Sequence, residues 1–213
     1  MTAAIWRARV VLACVGLIAG AVQAQDSAGA DEPAQARLSA RIYGFGPLGP
    51  RQDGDHAQVE LHLRGDAIRI DFVGENAPDA WLVTRGKRGQ AWLVSESGNY
   101  TLPVPDASGP YWYDPKAPCI VLGGRCSPAP GEFILGRLAA GWRYENATQG
   151  PDGTTAGTLW IDVRTGLLLG YRGRTGRSGR ERSLRVTDVS FETVPEALFE
   201  PPAGLRSPSS PGR

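Results

Sequence analysis

The sequence predicts a mainly β protein, a single curved antiparallel sheet of roughly ten strands laid down in chain order, with one or two short helices. Three observations predict it. Apolar residues alternate with polar ones at a period of two through many short runs, and the runs end in Gly, Asp, Asn or Ser. Several strands also carry large apolar groups on both faces: Trp160 opposes Leu159 and Ile161, and Leu82 opposes Trp81 and Val83. A sheet with one wet face alternates cleanly, so large groups on both sides imply a sheet that curls, with a packed outer face and an apolar concavity.

Taken in order, the elements begin with a leader. Met1 to Arg9 holds two arginines and no acid, Val10 to Val22 is uncharged and apolar, and Gln23, Ala24 and Gln25 follow, the layout of a secretory signal. The apolar run of about 13 residues falls short of the roughly 18 to 20 that span a bilayer. Residues 1–24 are therefore expected to be a signal peptide cleaved after Ala24, and the protein to be periplasmic. The alternative is Val11-Leu12-Ala13-Cys14, which loosely resembles a lipoprotein-processing box with Cys14 as the lipidated residue. Processing there would leave Val15 to Val22 as an exposed apolar tail. Residues 25–37 read as a flexible polar leader, 38–204 as the folded domain and 205–213 as a disordered tail.

Within the domain, Leu38–Phe45 is the first strand. Gln58–Arg64 alternates Val59, Leu61 and Leu63 with Glu60 and His62, turns at Gly65-Asp66, and returns through Ile68, Ile70 and Phe72 as a hairpin. Trp81–Thr84 and Ala91–Ser95 form a second hairpin, and Ser97-Gly98-Asn99 leads into Tyr100–Val104. Pro105–Pro118 is a long loop carrying Tyr111, Trp112 and Tyr113. Glu132–Ala140 reads as a short helix ending at Gly141 or, equally, as a strand. Trp142–Asn146, Gly157–Val163, Leu167–Arg172 and Arg182–Phe191 complete the strands, and Ala197–Pro202 is a proline-stopped closing turn.

Charge and chemistry exclude more than they assign. Loss of Arg7 and Arg9 with the leader leaves 21 of the 23 basic residues against 22 acidic ones, so electrostatics single out neither nucleic acid nor an anionic surface. Cys119 and Cys126 remain after cleavage, and in an oxidising compartment they are expected to pair, a bridge contributing on the order of 2.5 kcal/mol in the loop-entropy model. His56 and His62 are the two histidines, and His62 falls on the outward face of its strand. There is no phosphate-binding loop, dinucleotide fingerprint, zinc-protease motif or nucleophile elbow. Asp71, Asp162 and Asp188 are not spaced as a catalytic pair, and the Gly- and Arg-rich stretch with Arg172, Arg174, Arg177, Arg180 and Arg182 reads as a solvated hairpin tip. No enzyme activity, metal or cofactor is expected.

Gly157-Thr158-Leu159-Trp160-Ile161-Asp162, the turn Thr165-Gly166-Leu167, and the closing Phe199-Glu200-Pro201-Pro202-Ala203-Gly204 resemble the periplasmic outer-membrane lipoprotein-sorting, or LolA-like, superfamily and its uncharacterised relatives. Arg69-Ile70-Asp71-Phe72 and Ala91-Trp92-Leu93-Val94 fit the same layout, so the resemblance runs from about Leu38 to the closing motif. It implies an incomplete, half-open β-barrel of about 10–11 antiparallel strands whose apolar concave face receives acyl chains. It departs from the carriers in having few helices and an extra Cys-bridged, Pro-rich loop at Pro105–Pro130. It carries no family catalytic residue to transfer.

The expected function is a periplasmic binding or carrier protein for a lipid, a lipoprotein acyl chain or another apolar ligand. The expected lining residues are Val59, Leu61, Leu63, Ile68, Ile70, Phe72, Trp81 and Trp92, with Tyr111, Trp112 and Tyr113 as a covering or ligand-contacting loop. The partner is a hydrophobic ligand or a lipidated protein, with peripheral membrane contact and no nucleic acid. The competing expectation is an envelope protein-interaction or sensing module that holds no lipid; a hydrolytic enzyme built on His56 or His62 is more remote.

Overall fold

The computed structural model describes residues 34–44, 56–75, 77–84, 91–104, 109–176 and 178–207. The segment expected to be a signal peptide, Cys14, most of the stretch read as leader, Phe45, residues 85–90, Arg177 and the end of the tail lie outside the described residues. Eleven strands form: β1 (Gln35–Tyr43), β2 (Ala57–Arg64), β3 (Ala67–Val73), β4 (Trp81–Thr84), β5 (Ala91–Ser95), β6 (Tyr100–Val104), β7 (Arg125–Ile134), β8 (Arg137–Glu145), β9 (Thr154–Asp162), β10 (Leu168–Thr175) and β11 (Glu181–Ser190). They make one antiparallel sheet in the order β6-β5-β4-β3-β2-β1-β11-β10-β9-β8-β7, with β6 and β7 as its edge strands and Arg206 bridging the start of β6 at Tyr100. Strand β1 begins at Gln35, inside the stretch read as leader.

The period-two pattern fixes which side of this sheet is inside. Leu102, Leu93, Leu82, Ile70, Leu61 and Leu38 stand directly opposite one another from strand to strand across β6 to β1. A bulge between Ser39 and Ala40 resets the register, and the row resumes as Ile42, Leu184, Tyr171, Leu159 and Trp142 across β1 to β8. Cross-strand apolar pairs of this kind are the unit of sheet stabilisation, and each fully buried Leu or Ile adds roughly 1.5–3 kcal/mol. A one-residue slip would turn the whole row to the other face, so the pattern specifies the register strongly.

The outer face is polar over β1 to β3 and apolar over β4 and β5. Arg37, His62 and Arg69 lie in one row, Glu60 and Asp71 in the next, and these rows continue into Val83 and Trp92 and into Trp81 and Val94. The chain after β11 covers that apolar end. Val194 and Phe199 are buried with Trp81, Val83 and Val94, and Leu198, Leu205 and Trp92 pack around them. This strap is pinned along its length: Val194 N–H donates to Gln35 Oε1 at 2.7 Å, Arg64 to Val194 O at 3.0 Å, Arg69 to Leu198 O at 3.2 Å, and Thr101 N–H to Arg206 O at 2.9 Å. Arg69 also sits over the Trp81 ring at 3.9 Å.

The structure resolves the Glu132–Ala140 ambiguity in favour of strands, and the eleventh strand is the one the sequence concealed. Strand β7 begins within the stretch read as the Pro-rich loop and contains Pro128 and Pro130. Proline removes a ladder donor and so argues against a central strand, yet it is tolerated on an edge. Edge strand β6 likewise carries Pro103, and prolines on both edge strands hinder further strand pairing. The one short α-helix of the described residues, α1 (Cys119–Leu122), lies in the β6–β7 connection instead, and Cys119 and Cys126 are disulfide-bonded.

Candidate functional site

The concave face is built by β1 to β5 on one side and β8 to β11 on the other. Its centre is dry: Val59, Leu61, Leu63, Ile68 and Ile70 are each at most 6% exposed and belong to one apolar cluster with Leu38, Leu82, Leu93, Leu159 and Tyr171. Phe72 is half-buried against that cluster. Trp81 and Trp92 are not part of it. They belong to the outer cluster beneath the strap, and their strand neighbours Leu82 and Leu93 take the inward positions. Ring size favoured the tryptophans from sequence, whereas parity propagated from Ile70 through its partner Leu82 selects the leucines.

The β6–β7 connection joins the two edge strands of the open sheet, so it must cross from one side of the molecule to the other. Its aromatic part crosses on the inside: Tyr111 and Tyr113 are buried at 3% and 5% exposure in the concave cluster, with Leu122 of α1 beside them in the same cluster and Trp112 packed against it. The strand-turn motif at the β9–β10 end holds it there. Asp162 accepts hydrogen bonds from the Arg164 and Thr165 amides at 2.8 and 3.1 Å and from the Arg137 guanidinium, which shapes the turn. That turn presents Gly166 O to Tyr113 N–H at 2.9 Å, and Leu168 N–H donates to Tyr111 O at 2.8 Å. Trp142 Nε1 donates to Pro115 O at 3.1 Å, and the Thr148 and Gln149 amides donate to Leu122 O. The Asp-x-x-Thr-Gly motif is thus the dock for the aromatic loop.

Gly166 has a φ of +76°, and a Cβ there would lie 2.2 Å from Tyr113 O. Gly166→Ala combines a disfavoured backbone with a collision at the loop. It is expected to lower the melting temperature by several degrees and to raise the tryptophan accessibility of the loop to a soluble quencher. Unchanged quenching would remove Gly166 from the dock.

Electrostatics of the site are structural in character. Burial opposes ionisation of Asp162, but the Arg137 guanidinium and the two turn amides outweigh it and hold its carboxyl below the ordinary value of 3.8. At the other end of β8, Tyr144 donates to or accepts from Thr154 Oγ1 at 2.6 Å, and burial pushes its phenol up to about 12. Tyr171 donates to the Asp152 carboxylate and Arg182 to Asp152 O, fastening the Pro151–Gly153 turn to β10 and β11. His62 lies on the outer face 3.5 Å from Asp71; burial lowers its pKa despite that carboxylate. Asp71 itself is gripped by Arg69. His56 packs against Tyr43, with ring centroids 5.5 Å apart. Among the described residues no group of three or more His, Cys, Asp or Glu is placed to hold a metal ion. Of the arginine-rich stretch, Arg172 and Arg180 are exposed and Arg174 pairs with Glu181.

No family model matches the chain, and no curated protein matches it. Solved structures do. An uncharacterized conserved protein from Thermus thermophilus is 10% identical with a TM-score of 0.52, over 82% of this chain and 90% of that one. A putative outer membrane lipoprotein-sorting protein domain from Vibrio parahaemolyticus is 12% identical with a TM-score of 0.42, over 78% and 89%. A chain of the Pseudomonas aeruginosa MucA/MucB complex is 14% identical with a TM-score of 0.47, over 81% of this chain and 57% of that one. At these identities the likeness is one of fold alone. The open, eleven-strand antiparallel sheet is the half-open antiparallel layout expected from the sequence.

Proposed function

We propose that the chain is an exported, non-enzymatic binding protein that holds an apolar group, the acyl chain of a lipid or of a lipidated protein, on the concave face beneath the Tyr111–Tyr113 loop. One observation carries this reading: an apolar row runs across the whole open sheet, and the described chain supplies a docked aromatic loop and a four-residue helix over it where a sandwich would supply a second sheet. The cover is held by the burial of Tyr111, Tyr113 and Leu122 as well as by backbone hydrogen bonds, so a ligand that displaces it must replace those apolar contacts on the same face. An acyl chain taking its place would gain roughly 0.8 kcal/mol per methylene buried.

A polar contact supports the same reading. The Trp112 indole N–H is buried and has no hydrogen-bond partner in the structure. A buried donor left unpaired is costly, and an ester or carboxylate oxygen at the head of an acyl chain would satisfy it. The disulfide that ties the loop to edge strand β7 accords with residence in an oxidising compartment.

The test is titration of the protein with a fluorescent fatty acid, with palmitate as competitor, for the wild type and for the double variant Tyr111→Ala, Tyr113→Ala. Saturable, competable binding by the wild type is expected, and several-fold tighter binding by the variant, because two rings no longer fill the hollow. Absence of saturable binding by both proteins would exclude the acyl-chain reading and leave a partner-protein role for the same face.

A further inference from the structure

Phe133, Leu135, Leu138, Val163 and Phe191 are all exposed, Phe133 at 75%, Leu138 at 48% and Leu135 at 46%. They gather at one end of the sheet. Phe133 stands opposite Leu138 across the β7–β8 hairpin, Leu135 is in the two-residue turn between them, Val163 N–H donates to Leu138 O, and the Phe191 ring lies 4.8 Å from the Arg137 guanidinium. Scattered exposed apolar residues need no explanation, but a contiguous group does.

The turn adds an independent observation. Ile134 pairs with Arg137, and both residues between them have left-handed backbones, Leu135 at φ +53° and Gly136 at φ +71°. Such turns favour Asn or Gly at the first of these positions. A leucine is disfavoured there by its own backbone and, being exposed, gains little from burial. The position therefore does not serve the stability of the isolated fold.

Charge on β7 to β9 is one-sided, whereas β11 carries the exposed Asp188, and the exposed Glu192 follows Phe191. Between Glu132 and Gly166 every carboxylate is neutralised or hidden: Glu132 pairs with Arg185 at 2.7 Å, Glu145 with Arg125 at 3.3 Å, Asp162 with Arg137, and Asp152 is 1% exposed. Arg143 and Arg164 are exposed with no ion pair among the described residues, and Arg164 follows Val163 directly at the apolar end. From these observations we propose that the β7–β8 tip is a membrane-contact point. Phe133, Leu135 and Leu138 enter the boundary between headgroups and acyl chains of an anionic bilayer, and Arg164 meets lipid phosphate. A two-residue hairpin tip is convex, and a bilayer receives a convex apolar tip without a complementary pocket. This contact does not depend on the concave face holding an acyl chain.

The experiment is flotation of the full chain with vesicles of phosphatidylethanolamine and phosphatidylglycerol, and with vesicles of phosphatidylcholine alone. The wild type is expected to float with the anionic vesicles in preference to the neutral ones. The double variant Phe133→Ser, Leu135→Asn should float about fivefold less while melting no lower, because Asn suits the left-handed turn. The apolar N-terminal segment is common to both proteins, so the difference reads the tip. In parallel, Phe133→Trp should gain quenching by brominated lipid over the wild type. Equal flotation of wild type and double variant together with no added quenching would overturn the proposal. So would concentration-dependent dimerisation of the wild type, lost in the double variant, in the absence of flotation; that result would assign the tip to a second copy of the chain.

Discussion

Asp162→Ala should cost about 3–5 kcal/mol of unfolding free energy, the range for removing one partner of a buried ion pair and stranding the other. Asp162 is 1% exposed and Arg137 23%, so solvent screens the pair little. The same carboxylate holds the turn that docks the aromatic loop, and two backbone amides lose their acceptor with it. Chemical denaturation should show the loss in the transition midpoint, and loop tryptophan emission should shift to the red even where the sheet remains folded. The pH dependence follows from the direction of the carboxyl's shift. Its folded pKa lies below its unfolded value, so the stabilisation is present above the unfolded value of 3.8 and is lost as pH falls through the folded one. Asp162→Asn should remove that part of the acid-induced loss while retaining an acceptor for the turn. A variant as stable as the wild type at neutral pH would show that the motif does not organise this end of the sheet.

Phe199→Ala should cost about 3–5 kcal/mol, the range for emptying a buried phenylalanine site. Phe199 is 1% exposed and packs in the outer cluster with Trp81, Val83, Val94 and Val194. The strap is also held by the buried Val194, by Leu198 and Leu205 packed against the cluster, and by hydrogen bonds to Gln35, Arg64, Arg69 and the β5–β6 turn, each worth about 1 kcal/mol net. Without its anchor the strap should lift from β4 and β5. Trp81 and Trp92 would meet water, seen as a red-shifted emission, and amide exchange should quicken from Val194 to Arg206 before it does in β1 and β2. Global unfolding with no such local phase would show the strap to be part of the same cooperative unit as the sheet.

Legibility in the sequence followed the physics of each segment. Trp81–Thr84, Ala91–Ser95 and Tyr100–Val104 could be read to the residue because they are short runs rich in apolar and β-branched residues set between Gly-, Asn- and Pro-containing stretches. Strand β7 could not, because Arg125–Ile134 carries two prolines and its burial alternates poorly; only its position at a free edge permits that, and edge position is a property of the whole sheet. The concave row was legible on β2 and β3, where Val59, Leu61, Leu63, Ile68 and Ile70 alternate cleanly. It was misassigned on β4 and β5, where both parities are apolar and only the register with Ile70 separates Leu82 from Trp81. The buried aromatic loop was visible as three rings in a Pro-rich stretch. Its dock at Gly166 was not, since that contact joins segments far apart in the chain.

Retention of an acyl chain in the concavity is tested most directly by native mass spectrometry of the protein recovered from the envelope of its own host, with lipid extraction of the same sample. The expected result is a population heavier than the polypeptide by the mass of a lipid that appears in the extract and dissociates on activation. A single population at the polypeptide mass, with an extract free of lipid, would contradict it.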